Sequence, residues 1–207
     1  MKLTTKRIVL RDLNLKDARD IVNNINDLDV SRYLAVVPYP YSIKDAKWFI
    51  NDCLKKIRKK SKTSYSFGIE LKSKKKVIGG IGLHDISESR GTAELGYWLG
   101  KNYWRQGIMS EAVNKLISYA FNELKLRRLT IPAYFENRAS NGLALKLGFK
   151  LEWRLRDYQI AKSTGKMHDA NLYSLLKREW KKWIFKLSFL IYLFPIFLDI
   201  SLIRIFL

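Results

Sequence analysis

The stretch Tyr103-Trp104-Arg105-Gln106-Gly107-Ile108-Met109-Ser110 contains residue types that could hold an anion. A helix start leaves backbone N–H groups without partners and carries a partial positive charge, so a phosphate can bind there without a dedicated side chain. Gly107 would let the backbone approach such a ligand, and Arg105 would add a permanent charge. The same residues also suit an ordinary helix entrance, with Ser110 as its cap. Taken alone, the stretch leaves both interpretations open.

Two carboxylates and one short polar motif could add acid–base chemistry. Glu94 and Glu152 each lie in a strand-like segment, where a carboxylate serves either as a base or as a salt-bridge partner. Asn137 and Ser140 lie three residues apart, a spacing that suits the cap of a short helix. A serine hydroxyl can also stabilise a developing negative charge by hydrogen bonding. The residues themselves do not decide between these roles.

The surrounding pattern predicts the elements that position these residues. Alternating hydrophobicity and turn residues predict strands at 5–13, 64–71, 76–84, 92–99, 128–134, 149–160 and 167–176. Helical periodicity covers 15–25, 42–59, 110–123 and 140–147. The order β-α-α-β-β-β-α-β-α-β-β, with short joints and one crossover at 110–123, predicts an α/β (α+β) fold. Its sheet is expected to be mixed and largely antiparallel, with helices on its faces.

The charge balance and the cysteine count limit the classes of partner and site. The 207 residues include 39 Lys and Arg against 19 Asp and Glu, a net charge of +20. This excess favours anionic partners such as nucleic acid, an anionic membrane face or an anionic cofactor. One cysteine, Cys53, excludes an internal disulfide, and two histidines, His84 and His168, do not suffice for a histidine-built metal centre. We therefore expect a cytoplasmic protein without a metal.

The two ends of the chain differ in character. Residues 1–6 contain no apolar core of signal-peptide length, so export is not expected. Residues 187–207 form an apolar run about as long as a membrane span, interrupted by Pro195, Asp199 and Arg204. The sequence thus predicts a folded domain at 1–180 and a hydrophobic tail at 181–207. The tail either associates with a membrane, its basic flank cytosolic, or packs on the domain or a partner.

Three segments in a fixed order connect the candidate residues. "AELGYWLGKNYWRQGIMSEAV", "ENRASNGLALKLGFKLE" and "RDY…GKMHDANLYSLL" resemble the GNAT superfamily of N-acetyltransferases, in particular the RimJ/RimL-type protein N-terminal acetyltransferases. The resemblance covers roughly residues 6–176. It implies the GNAT fold, with a sheet splayed between its fourth and fifth strands, and acetyl-CoA as co-substrate. Gly107 keeps the glycine of the family's Q/R-x-x-G-x-G/A motif, whereas Trp104 and Met109 depart from its ends.

The resemblance also implies a cofactor site. Backbone groups of Trp98 and Leu99 would line the pantetheine arm in the gap between the splayed strands, as an added strand would. Asn137 would bond the pantetheine amide, and Ser140 would donate to the CoA sulfur as general acid. The pyrophosphate would be surrounded by the turn formed by Trp104, Arg105, Gln106, Gly107, Ile108, Met109 and Ser110.

On the acceptor side, the resemblance offers two candidate bases. Glu152 matches the glutamate that RimL-type enzymes are proposed to use through water, and Glu94 matches the central-strand glutamate of other branches. We expect Glu152 to be the base in preference to Glu94. Tyr158 and Tyr173 would line the acceptor cleft, unless they lie in the core as aromatic residues of a hairpin often do. Asp169 would orient the substrate or support the structure.

The predicted acceptor is a protein N-terminus, in the manner of a ribosomal protein. An α-amino group has a pKa near 7.7–8.0 and is easier to neutralise than a lysine, whose pKa is near 10.4. A small amine, such as an antibiotic or polyamine, is the alternative within the same class. A non-catalytic module that binds RNA or membrane is the alternative from another class. The basic surface would suit approach to ribosomal RNA, and either a monomer or a homodimer is expected.

Overall fold

The computed structural model describes residues 1–58 and 63–180, so the tail predicted at 181–207 lies outside the described residues. The strands are β1 (Lys2–Thr4), β2 (Ile8–Arg11), β3 (Tyr65–Leu71), β4 (Lys76–Ser87), β5 (Thr92–Leu99), β6 (Arg128–Tyr134), β7 (Lys150–Ile160) and β8 (Met167–Leu176). The helices are α1 (Ala18–Ile25), α2 (Leu28–Ser31), α3 (Ile43–Ile57), α4 (Ile108–Asn122) and α5 (Arg138–Lys146). Among the described residues, no helix is long and apolar enough to cross a membrane.

One sheet of eight strands organises the domain. Its strand order is β1-β2-β3-β4-β5-β6-β8-β7. Neighbouring strands pair antiparallel except β5 and β6, which are parallel. A parallel neighbour needs a crossover connection, which α4 supplies. The predicted mixed, mostly antiparallel sheet is thereby confirmed.

The gap between β5 and β6 is the feature that matters most for function. The two strands pair only at their beginnings, where Thr92, Ala93 and Glu94 lie opposite Arg128, Leu129 and Thr130. Beyond these positions β5 continues to Leu99 and β6 to Tyr134 without pairing to each other. The expected splay between the fourth and fifth predicted strands is confirmed, because those strands are β5 and β6.

Helices cover both faces of the sheet. Ile78 of β4 belongs to a core that contains the apolar face of α4, including Ala112 and Leu116. The adjacent Val77 belongs to a second core, formed with α1 and α3. Because successive strand residues point to opposite faces, the two cores lie on opposite sides of the sheet. We call these sides the α4 face and the α1/α3 face.

The element bounds depart from the sequence prediction at several points, which include the unpredicted helix α2 and the strand β4, which continues to Ser87 instead of ending at residue 84. Strand β1 was not predicted, because three residues carry too little periodicity, and it forms by pairing Lys2–Thr4 with β2. Helix α4 begins at Ile108, two residues before the predicted start, because Gly107 already adopts a left-handed conformation that ends the turn. Ser42 caps α3 as predicted, and it does so reciprocally with Asp45.

Candidate active site

The backbone of β5 presents alternate residues to the gap. The N–H of Gly100 donates to the Ile78 carbonyl of β4 at 2.9 Å. In an antiparallel pair the residues that bond across the ladder alternate with residues whose backbone groups point away. Trp98, two residues before Gly100, therefore bonds toward β4, and Tyr97 and Leu99 present their backbone groups to the gap. Of the two residues predicted to line a ligand in the gap, Leu99 faces it with its backbone and Trp98 does not.

The turn before α4 presents free backbone N–H groups. Gly107, with a φ of +72°, immediately precedes the first helical residue, Ile108, and no side chain caps the helix. The N–H of Glu111 donates to the Gly107 carbonyl at 3.1 Å. The amides of Ile108, Met109 and Ser110 precede it and have no partner within the helix. Ser110 is thus not the cap, and that part of the ordinary-entrance interpretation is wrong.

Side chains around this turn brace it. The indole N–H of Trp104 donates to the Leu99 carbonyl at 2.7 Å, and the side-chain amide of Gln106 donates to the Asn102 carbonyl at 2.9 Å. Ile108 is buried and Met109 packs against the α4-face core. Arg105 is exposed, with a φ of +59°. An anion at this turn would therefore meet backbone N–H groups, and the exposed Arg105 adds a positive charge to the same loop.

Across the gap, the start of α5 carries the Asn137–Ser140 motif. Asn137 caps α5 by accepting a hydrogen bond from the Ser140 N–H at 3.1 Å, which leaves its side-chain NH₂ for a ligand. Ser140 does not act as a cap, because its hydroxyl lies 2.8 Å from the Tyr97 hydroxyl. Burial raises the pKa of Tyr97 to about 12, despite the opposing effect of this hydrogen bond. Tyr97 consequently stays protonated at neutral pH and can donate to Ser140.

Glu152 is held in an ion pair. Both of its carboxylate oxygens accept from Arg128, at 2.8 and 2.6 Å, and Oε1 also accepts from the Ser174 hydroxyl at 2.6 Å. The hydrogen bonds from Arg128 and Ser174 lower the pKa of Glu152 from 4.5 to about 2, against a smaller opposing effect of burial. A carboxylate with so low a pKa is a weak base. The geometry therefore favours the salt-bridge alternative for Glu152.

Replacing Glu152 by Gln should lower the melting temperature by about 2–4 °C at pH 7, because Arg128 loses a charged partner. The pKa of Glu152 is lower in the folded chain than its ordinary value, so its ionic contribution to stability is complete above about pH 4.5 and is lost as the pH falls toward 2. The difference in melting temperature between wild type and Glu152→Gln should shrink over that range. Thermal melts at pH 7, 4, 3 and 2 measure it, and a constant difference would contradict the assignment.

Glu94 has a different environment. It is the last residue of β5 that pairs with β6, at the closed end of the gap. Its neighbour Leu95 lies in the α4-face core, so Glu94 points to the α1/α3 face. Burial raises the pKa of the half-buried Glu94, and the charge of Asp85 raises it further. Glu94 is thus the stronger base of the two carboxylates, and it lies on the face opposite the Tyr97–Ser140 pair.

The acceptor-side residues separate into two groups. Tyr158 is half-buried beside Tyr134 and Tyr33, and its pKa is raised by burial and by the charges of Glu94 and Asp85. Tyr173 lies in the α4-face core, where its hydroxyl donates to Asn141 at 2.8 Å. The Tyr158 environment agrees with a cleft next to Glu94, and Tyr173 takes the core position that the sequence left open.

Asp169 supports the strand that carries Tyr158. Its carboxylate accepts from Arg154 at 2.8 Å and from the N–H of Asp157 at 3.0 Å. Asp157 has a φ of +46° and lies where the pairing of β7 with β8 shifts register. The contacts of Asp169 therefore favour its structural alternative, in which it fixes the bulge before Tyr158.

Sequence reasoning missed two residues of the site. Tyr97 was overlooked, although strand alternation places it on the face opposite Glu94. Asp85 was missed because the sequence prediction ends this strand at residue 84, whereas β4 continues to Ser87 with a register shift after His84, the residue opposite Glu94. Among residues 1–58 and 63–180, no group of three or more His, Cys, Asp or Glu side chains could hold a metal ion.

Comparison with known proteins identifies the architecture. A family model described as an acetyltransferase (GNAT) domain matches residues 7–150. The uncharacterized N-acetyltransferase p20 of Bacillus licheniformis is 37% identical over 180 residues, 86% of this chain and 97% of that protein. The ribosomal-protein-serine acetyltransferase of Escherichia coli (strain K12) is 37% identical over 98 residues, which is 47% of this chain and 54% of that protein.

A solved structure extends the similarity to a cofactor complex. The microcin C7 self immunity acetyltransferase MccE, in complex with acetyl-CoA and AMP, is 29% identical and superimposes with a TM-score of 0.72. The match covers 83% of this chain and 93% of that one. The chain with splayed strands β5 and β6 and an uncapped turn before α4 is therefore similar to a protein that was solved with acetyl-CoA bound.

Proposed function

The chain belongs to the GNAT acetyltransferase family and is an N-acetyltransferase that uses acetyl-CoA, and we propose that its acceptor is the N-terminal α-amino group of a protein, of the ribosomal-protein type. The observation that carries this proposal is Glu94, a half-buried carboxylate with a raised pKa at the closed end of the gap. A carboxylate base removes a proton more readily from an α-ammonium group, whose pKa is near 8, than from a lysine ammonium group, whose pKa is near 10.4, because its own pKa lies closer to that of the α-ammonium. The ribosomal-protein-serine acetyltransferase of Escherichia coli supports the same class of acceptor.

The residues present fit acetyl-CoA. The uncapped amides of Ile108, Met109 and Ser110 suit a pyrophosphate, and Gly107 contributes no side chain that would obstruct its approach. The free NH₂ of Asn137 and the Leu99 backbone suit the amides of a pantetheine arm. Bound acetyl-CoA would supply an activated thioester carbonyl.

The proposed base and the proposed hydrogen-bond donor to the sulfur lie on opposite faces of the sheet. We assign Glu94 as the base that takes a proton from the acceptor ammonium on the α1/α3 face, leaving a neutral amine that can form the new C–N bond. Ser140, on the α4 face, would donate a hydrogen bond to the thioester sulfur, and the proton that the nitrogen gives up on forming the amide would go to the leaving thiolate. The Tyr97 hydroxyl lies 2.8 Å from the Ser140 hydroxyl, and by donating to it Tyr97 would leave the serine proton free for the sulfur. This assignment replaces Glu152 by Glu94 as the preferred base.

A panel of acceptors tests the proposal. Purified full-length protein is mixed with acetyl-CoA and one of three acceptors: peptides with free N-termini, the same peptides N-terminally blocked but containing lysine, or small amines. Thiol release measures turnover, and mass spectrometry locates the acetyl group. We expect turnover with free N-termini and at least a 100-fold lower kcat/KM with blocked peptides. Acetylation of lysine or of small amines alone would overturn the assignment of the acceptor.

One observation supports the alternative acceptor, a small amine. MccE is a self immunity acetyltransferase whose complex contains AMP, so a relative of this chain accommodates a small molecule. The peptide panel separates the alternatives because small amines are measured in the same assay. The predicted tail association with a membrane falls on residues 181–207, outside the described residues.

A further inference from the structure

The N-terminal segment is fastened to the turn before α4. The Arg7 guanidinium donates from Nη1 to the Gln106 carbonyl at 2.7 Å and from Nε to the Glu111 carboxylate at 2.6 Å. The Arg7 N–H and the Thr5 hydroxyl also donate to Glu111, at 2.9 and 2.6 Å. A Cβ placed on Gly107 would lie 3.6 Å from Arg7 Nη2, so the guanidinium lies directly against the turn. Arg7 and Glu111 are 104 residues apart in sequence.

These contacts orient the peptide that joins Gln106 to Gly107. In a trans peptide the carbonyl and the following N–H point in opposite directions. Because Arg7 binds the Gln106 carbonyl from one side, the Gly107 N–H is directed to the other side. Gly107 has a left-handed φ and no side chain, so its own conformation would permit other orientations of this peptide. The bond from Arg7 selects one of them.

The same side chain offsets an unfavourable charge. Glu111 lies in the first turn of α4, close to the amides that suit a phosphate. A carboxylate stabilises a helix N-terminus, but it also repels a second anion bound there. The Arg7 guanidinium is paired with that carboxylate and cancels its charge locally.

We propose that Arg7 is a positioning residue for the cofactor's pyrophosphate: it fixes the Gln106–Gly107 peptide with the Gly107 N–H toward the phosphates and neutralises Glu111. This role compensates for the motif position occupied by Trp104, whose indole is used to bond Leu99. It rests on the use of acetyl-CoA and is independent of which amine is acetylated.

Affinity for CoA, measured by calorimetry on the full chain without any acceptor, tests the role. Arg7→Met should raise the Kd for CoA about 10- to 100-fold, because a charge-assisted anchor of the turn is lost. Pantetheine lacks the pyrophosphate, so its affinity, measured by NMR titration, should change less than twofold. Arg7→Lys keeps a cation beside Glu111 but cannot bridge Glu111 and Gln106 at once. It should keep the wild-type melting temperature and still raise the Kd for CoA about tenfold.

Arg19→Met is the matched control, since Arg19 is an exposed arginine on α1 and its loss removes one charge without touching the turn. It should leave both affinities within twofold of wild type. Wild-type CoA affinity in both Arg7 variants would overturn the proposal. Equal losses for CoA and pantetheine would also overturn it, because they would show that Arg7 supports the whole domain and not the phosphate turn. Neither result depends on the identity of the acceptor.

Discussion

Glu94→Gln should lower kcat about 10²- to 10³-fold at pH 7, while the Kd for CoA stays within twofold of wild type. The replacement keeps the size of the side chain and removes its ability to accept a proton, and general base catalysis contributes about 10²- to 10⁴-fold. The loss should shrink to less than tenfold near pH 9.5, since an α-amino group with a pKa near 8 is then already neutral. Thiol release at saturating acceptor, measured from pH 6 to 9.5, gives the profile.

Glu152→Gln is the matched comparison, because it is the same chemical change at the other candidate base. Its kcat should remain within threefold of wild type over the whole pH range, since Glu152 is occupied by Arg128 and Ser174. A large, pH-dependent loss in Glu152→Gln together with normal turnover in Glu94→Gln would reverse the assignment and restore the expectation drawn from the sequence.

Ser140→Ala should lower kcat about 10- to 100-fold and leave the Kd for CoA within threefold. Alanine is the best helix former, and the bond that Asn137 accepts comes from the backbone of residue 140, so α5 should persist. Tyr97→Phe keeps the ring and removes only the hydroxyl that contacts Ser140, and it should lower kcat about fivefold. Since Tyr97 acts through Ser140, the double variant should be no slower than Ser140→Ala alone. Thiol-release assays on the four proteins complete the cycle.

Tyr119→Phe controls for removal of a phenol elsewhere, because Tyr119 lies on α4 with its ring against Tyr65. It should turn over at the wild-type rate. Multiplicative losses in Tyr97→Phe and Ser140→Ala would show that the two hydroxyls act separately. Wild-type turnover in Ser140→Ala would reduce that serine to a structural residue of α5.

Local sequence patterns determined much of this protein. Within the described part of the chain, strand alternation and helical spacing predicted seven of the eight strands and the helices α1, α3, α4 and α5, because the side-chain periods of 2 and 3.6 are properties of short segments. Gly107 marked the turn before α4, since a glycine before an apolar helical run favours the left-handed conformation found there. The resemblance on these segments gave the family, which the comparisons confirmed.

Only the tertiary structure decided how the candidate groups are paired. Arg128 reaches Glu152 across 24 residues of sequence, Tyr97 reaches Ser140 across 43, and Arg7 reaches Glu111 across 104. These pairs depend on the strand order and on which face each residue occupies, and local periodicity does not encode strand order. A carboxylate is a base or a salt-bridge partner according to its neighbours, because burial raises its pKa and an adjacent guanidinium lowers it. The sequence therefore predicted both Glu94 and Glu152 as candidate bases. The fold distinguishes them because it places Arg128 against Glu152.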